Sequence, residues 1–299
     1  MSTRPETVFG ARSPDDAKVL GRRRLMNKLF TGLVGGAVLV ALVPLVAIVY
    51  YVLHKGVGVI SWDFLTKPIP ILSRSIGPGM GPAIIGTLVI TGAATLMAVP
   101  LGILAAVYLN EYGKKNRLAN VIRTMADVMT GVPSIVMGLF IYTIWVLKYG
   151  LSGFAGSLAL ACLMLPIVIR STEEILRLVP AGLREASLAL GASRARTIIT
   201  VVLPAAIPGI TSGALLAVAR AAGETAPLLF TVGASRTTNW HVFDGANTAL
   251  STQIFRNATL PFVGAQERAW GAALTLIVLV VLLTIVARLV TKRFSVPLR

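Results

Sequence analysis

The 299-residue chain is 55% hydrophobic and only 13% charged, with a mean hydropathy of +0.79. Soluble globular chains are about one-quarter charged, so this composition excludes an ordinary soluble domain and points to a helical membrane domain. One cysteine (Cys162) and two histidines (His54, His241) exclude an internal disulfide framework and a cysteine- or histidine-rich metal site, while the net charge of +16 admits nucleic acid only until the charges are placed along the chain.

Residues 1–20 mix Arg, Glu, Asp, Pro and Ser without periodicity and read as a mobile tail. Arg22-Arg23-Arg24 precedes an apolar run of 25 residues, 29–53. That run is too long for a signal-peptide core, so it is expected to stay as a first helix. Further intervals free of Asp, Glu, Lys and Arg lie at 75–110, 128–147, 149–169, 197–219 and 269–287. A span needs roughly 20 mostly apolar residues. Gly77-Pro78-Gly79-Met80-Gly81-Pro82 delays the second helix, and Pro204 and Pro208 delay the fifth. The expected helices are therefore 29–53, 83–109, 128–147, 151–170, 207–230 and 269–289. The domain plan is a tail at 1–28, a six-helix membrane domain at 29–289 and a second tail at 290–299.

With the N-terminus inside, twenty lysines and arginines fall in the inner segments and seven in the outer loops. This positive-inside bias predicts cytoplasmic N- and C-termini of a multi-pass protein of the cell membrane. The basic charge then faces anionic lipid, and no nucleic acid is needed to account for it. Trp62, Trp145, Trp240 and Trp270 fall near helix ends or in outer loops, as an aromatic belt requires.

The loop between helices four and five, 172–204, carries Leu and Ala at helix-like positions with breaks expected at Gly182 and Gly191. Small residues at Ala186, Ser187 and Ala189 suit a short helix in another protein's groove, and Gly191 suits the left-handed turn that ends it. An amphipathic connector lying on the lipid surface fits the same residues.

Arg220 and Glu224 interrupt helix five. Counted from Ile207, Arg220 is about thirteen residues in, roughly 20 Å, near the midplane. An ionised group there is costly if it faces lipid, so it must face protein or water. On a continuous helix Gly209, Gly213, Ala217, Glu224, Pro227 and Thr231 share its face, with Ile207, Leu215, Val218 and Leu229 opposite. Gly209-x-x-x-Gly213 permits close helix packing. Pro227 cannot donate to the Gly223 carbonyl, so a kink is expected beside Glu224. The pair reads either as an ion lock between helices or as a pore-lining cation for an anion, the guanidinium fork matching phosphate or carboxylate oxygens. Arg170, at the inner end of helix four, is either an inner-face anchor or a second arginine on the exit path. Arg123 and Asp127 read as interfacial charges.

Glu185-Ala186-Ser187, Gly191 and Val201-Val202-Leu203-Pro204 stand at the spacing of the loop that marks permeases of ATP-binding-cassette importers, which the chain resembles. Ser187 and Val201 are mild departures from that pattern. The resemblance implies the all-α type I importer permease fold and a coupling helix docked on an ATPase, with Arg184, Glu185, Ala186, Ser187 and Gly191 as its contacts. The chain has no G-x-x-x-x-G-K-[ST] phosphate loop, so ATP and Mg are expected on a partner subunit, with no catalytic residue and no cofactor in this chain. Narrower still, the stretch 220–231, Gly81 to Leu88 and Leu165 to Glu174 resemble the PstA permeases of bacterial phosphate importers. Ala226-Pro227-Leu228-Leu229 distinguishes them from the sister PstC permeases. That resemblance implies phosphate as substrate, Arg220, Glu224, Thr225 and Arg170 on its path, and PstC-like, PstB-like ATPase dimer and PstS-like binding-protein partners. The alternatives are a permease for another oxyanion or amino acid, or a secondary anion transporter, which would need no such loop and would carry inverted repeats.

Overall fold

The computed structural model describes residues 14–75, 79–113 and 116–294, and these residues form helices and loops without strands. The first helix, α1, is Pro14–Gly56. It begins well before the expected residue 29, so residues 14–28 of the expected tail are helical, while 1–13 lie outside the described residues. Its part up to Tyr51 is a unit of its own, and Val52 opens the second. Leu33, Val40 and Val46 are all exposed along α1, the apolar surface of a helix solvated by lipid.

In the second unit, α2 (Trp62–Thr66) is capped by Ser61, whose Oγ accepts from the Phe64 amide at 3.1 Å. The second span, α3 (Gly81–Tyr112), ends in a π-helical turn at Tyr108–Tyr112. Next come α4 (Arg117–Gly131) and α5 (Ser134–Tyr149), bent by 105° to one another. This replaces the single straight helix expected at 128–147. A helical Pro133 would clash with the carbonyl four residues back and force Val132 out of the helical region. Val132 is accordingly extended (φ −69°, ψ 125°), and Pro133 becomes the cap of α5.

The fourth span, α6 (Gly153–Leu178), is capped by Ser152 and runs past the expected end at 170. A short helix, α7 (Ala181–Ala189), follows. The next helix, α8 (Arg194–Ala222), starts before Pro204 and Pro208 rather than after them. The connection expected over 172–204 thus shrinks to 179–193, with both flanks drawn into long helices. The remaining helices are α9 (Ala226–Thr231), α10 (Leu250–Ala258) and α11 (Val263–Phe294). Because α11 reaches Phe294, residues 290–294 of the expected C-terminal tail are also helical, and 295–299 lie outside the described residues. Among the described residues five helices are long and apolar enough to cross a membrane, and the bent pair α4–α5 makes a sixth if it counts as one span.

At the centre lies α6, which its neighbours α3 and α8 approach closely through glycines of their own. A Cβ on Gly102 of α3 would fall 2.6 Å from Val168, one on Gly209 of α8 2.6 Å from Ile175, and one on Gly213 2.4 Å from Ser171. Close backbone approach through small residues is the main packing device between helices in lipid, where burial from water supplies no drive. Ile90, Ala94, Ala98, Leu160, Met164, Ala217 and Ala221 fill the seam between α3, α6 and α8. At one end of the unit, Phe64, Met80, Ala83, Leu250 and Ala272 join α2, α3, α10 and α11. Gly86 sits under α10, where an added Cβ would lie 1.9 Å from the Thr248 carbonyl.

Candidate functional site

The kink expected beside Glu224 is a complete break. Helix α8 stops at Ala222, closing with bonds from the Gly223 and Glu224 amides to the carbonyls of Arg220 and Ala221, both 3.1 Å. Pro227 occupies the first turn of α9, where its missing amide donor costs nothing. The loose end is tied from α10: the Ser251 hydroxyl donates to the Glu224 carbonyl at 2.8 Å.

Arg220 therefore lies in the last turn of a helix that began at Arg194, not thirteen residues into one starting at Ile207. Its side chain is 71% exposed, and its Nε stands 3.8 Å from Oε1 of Glu224, which is 19% exposed. That separation is an ion pair without a hydrogen bond, so the guanidinium keeps its donors. The small-residue stripe does not share its surroundings. Gly209, Gly213 and Ala217 are packed against the body of the unit, whereas Arg220 continues an exposed row through Ser212 and Leu216. Thr225, at the cap of α9, is half-buried and makes no side-chain capping bond. The break rests on α5, since a Cβ on Gly138 would lie 2.5 Å from Pro227.

Helix α7 has no buried residue, and Leu183, Leu188 and Leu190 are exposed, Leu190 at 89%. Gly191 has φ +81°. Its amide bonds the Leu188 carbonyl at 2.9 Å, and the Ala192 amide bonds that of Ser187 at 3.2 Å, the paired closure that a left-handed residue permits. The expected break at Gly182 does not occur; Pro180 caps the helix and Gly182 lies in its first turn. Glu185, Ala186 and Gly191 are exposed, while Ser187 is half-buried and shares a 2.9 Å hydrogen bond with Thr197.

Arg184 faces inward. It donates to Glu111 (2.9 and 3.2 Å) and to the carbonyls of Val179 (2.6 Å) and Leu176 (2.9 Å). It thereby ties α7, the expected coupling helix, to the ends of α3 and α6. The buried carboxylate of Glu111 was invisible in the sequence, where it sits among interfacial charges. Asn110 donates to the same oxygen at 2.8 Å.

Arg170 is likewise engaged. It bonds Asp127 and lies 3.9 Å from Glu173, a buried carboxylate that also takes Arg123 (2.8 Å) and Arg177 (2.6 Å). Arg123 further donates to the Leu109 carbonyl at 2.8 Å. Arg123 and Asp127, expected as interfacial charges, join one network that pins α4 to α6 at the end of the unit where α7 lies. The other element that sequence reasoning missed is α10, with Ser251, Thr252, Gln253 and Asn257 buried. The polar residues Asn247, Thr248, Ser251, Thr252 and Gln253 were the available signal, but they invert the usual pattern, their polar groups turned inward.

Residues 98–296 match the family described as binding-protein-dependent transport system inner membrane component. Among curated proteins, the phosphate transport system permease protein PstA of Mycobacterium leprae is 47% identical over 263 residues, covering 87% of this chain and 86% of the relative. The protein of the same name from Haemophilus influenzae is 40% identical, covering 89% and 94%. Among solved structures, a chain of the inward-facing MetNI methionine ABC transporter aligns with a TM-score of 0.58 at 18% identity, covering 72% of this chain and 94% of that one. A chain of a bacterial ABC transporter involved in import of the acidic polysaccharide alginate gives 0.59 at 15%, covering 93% and 100%. At such identities these two show the fold, that of ABC importer permeases. The chain belongs to the binding-protein-dependent transport system inner membrane components, as a multi-pass membrane protein of the PstA permease group.

Proposed function

We propose that this chain is one of two permease subunits of an ATP-driven phosphate importer and forms the translocation path together with a PstC-like sister. The observation that carries the reading is the broken fifth span. It leaves Arg220 at an exposed helix end with free donors and Glu224 beside it at 3.8 Å, in a chain 47% identical to a phosphate transport permease. A guanidinium so placed attracts a phosphate oxygen pair, and the neighbouring carboxylate limits how tightly the anion is held. Thr225 offers a hydroxyl at the same break. Arg170, already paired with Asp127, acts on the exit side only if that pair opens.

Energy comes from a PstB-like ATPase dimer that binds ATP and Mg, and phosphate arrives from a PstS-like binding protein. The exposed leucines of α7, with Glu185, Ala186, Ser187 and Gly191, form the ATPase contact. Arg184 acts behind them as a positioning residue, passing motion of α7 to α3 and α6 through Glu111. The termini and α7 face the cytoplasm, in keeping with twenty basic residues against seven. Affinity purification of the tagged chain in detergent, paired with cellular uptake of labelled phosphate and sulfate, tests the reading. Co-purification of an ATPase and a second permease with phosphate-selective uptake is the expected outcome. Sulfate uptake equal to that of phosphate would overturn the substrate.

A further inference from the structure

The end of the second unit away from α7 holds a cavity lined by neither Arg220 nor Glu224. The direction is set by α3, whose last turn meets α7 through Glu111 and Arg184, while its first turn packs with Phe64 of α2 and Ala272 of α11. The cavity measures about 630 Å³ and lies between residues 54–61 and the first turns of α11. Its polar lining comprises His54, Lys55, Ser61, Gln266, Glu267 and Arg268, with Trp270 among the apolar walls.

Arg268 is only 2% exposed. Its Nη1 donates to the Ser75 carbonyl at 2.5 Å and its Nη2 to the Ser73 carbonyl at 2.6 Å, while its Nε has no acceptor. Among the described residues no carboxylate lies within ion-pair distance of it, Glu267 included. This buried guanidinium is hydrogen-bonded only to neutral carbonyls, with Glu267 acting on it from beyond ion-pair distance, and a buried charge so incompletely matched calls for an anion. Lys55 stands exposed at the rim and adds a second cation against the single carboxylate of Glu267. The site therefore carries a net positive charge.

Trp62 is 78% exposed and Trp270 also presents its ring at this end. Exposed indoles beside the ends of spanning helices mark the headgroup level of a bilayer. We propose that this cavity binds a phosphate group at the membrane surface, carried by a phospholipid headgroup, with Lys55 at the rim as contact and Arg268 supplying the field behind it.

The same chemistry would accept free phosphate, so the test has two arms, both on the intact permease complex. Native mass spectrometry after delipidation and addition of phosphatidylglycerol or phosphatidylcholine reads the lipid. The wild type is expected to retain phosphatidylglycerol preferentially, and Lys55→Gln to lower that retention about fivefold, the weight of one lysine at an anionic lipid surface. Lys55 is exposed, so this variant keeps the fold, whereas Arg268→Gln would also release the loop at 73–75. In the second arm, millimolar inorganic phosphate is added to the delipidated complex and thermal unfolding is followed. A rise with phosphate that Lys55→Gln abolishes, without lipid preference, supports the phosphate site and assigns it to the free ion. Equal retention of both lipids together with no response to phosphate, or a preference untouched by Lys55→Gln, overturns the proposal.

Discussion

At the scale of single residues, Arg220 and Glu224 divide two readings that the distance alone does not. A lost charge-assisted contact is worth about 1.5–3 kcal/mol, so Arg220→Gln is expected to cut phosphate uptake about ten- to a hundred-fold with assembly intact. Lysine should restore part of it, since a point charge lacks the planar fork. In the Arg220→Gln/Glu224→Gln double variant no unpaired charge remains. Uptake should stay as low as in Arg220→Gln, and recovery would reduce the pair to an ion lock. Arg184 and Glu111 are expected to act differently, through stability. They are 18% and 8% exposed, and removing one partner of such a pair costs about 3–5 kcal/mol. Arg184→Gln should therefore lower the unfolding temperature and the coupling of ATP hydrolysis to uptake together. Arg184→Gln/Glu111→Gln should recover much of the stability, which unfolding measurements would check. The sequence exposed Arg220 because a lone charge within an apolar run is conspicuous. It hid the inter-helix roles of Glu111 and Glu173 because Arg184 and Arg123, which they hold across the bundle, stand 73 and 50 residues away in the chain.

At the scale of elements, Gly191 and the two helix breaks show where local rules suffice and where they do not. A left-handed residue was expected at Gly191 and is found, since no other residue closes α7 so cheaply. A side chain in that region costs about 1–2 kcal/mol, more when β-branched. Gly191→Val should accordingly leave insertion intact, detach or misdirect α7, and uncouple ATP turnover from uptake in proteoliposomes; normal coupling would remove α7 from the ATPase contact. Gly86→Ala should disturb the opposite end, because its Cβ would meet the Thr248 carbonyl at 1.9 Å. Overpacking of this kind costs about 1–3 kcal/mol, visible as a lower unfolding temperature. The prolines were harder to read. Pro100, Pro166 and Pro208 sit inside long helices, whereas Pro133 breaks one by 105°. Pro133 differs in following Gly131 and the β-branched Val132, a pair already poor in helical propensity. Helix α8 overruns both Pro204, which directly follows the wider π-helical turn Ile198–Val202, and Pro208.

At the scale of the whole molecule, orientation is the property most open to test. On a Cys162→Ala background, Leu190→Cys should resist an impermeant thiol reagent in intact cells and react in inside-out vesicles. Trp240→Cys, in the loop after α9, should do the reverse, and the opposite pattern would invert the topology. Composition and the spacing of charge-free runs were enough for the membrane class and the places of the apolar segments, and Gly191 for its turn, because each depends on a residue and its chain neighbours. Which residues those segments bring together was decided by packing. Gly209, Gly213 and Ala217 looked like a wall shared with Arg220, yet they serve the seam with α6, since close helix contact claims small residues first. The helix that would have carried their face onward to Glu224 ends at Ala222, tied off by Ser251 from α10. Helical periodicity extends a face only as far as the helix runs, and where this one stops was settled by contacts between residues distant in sequence.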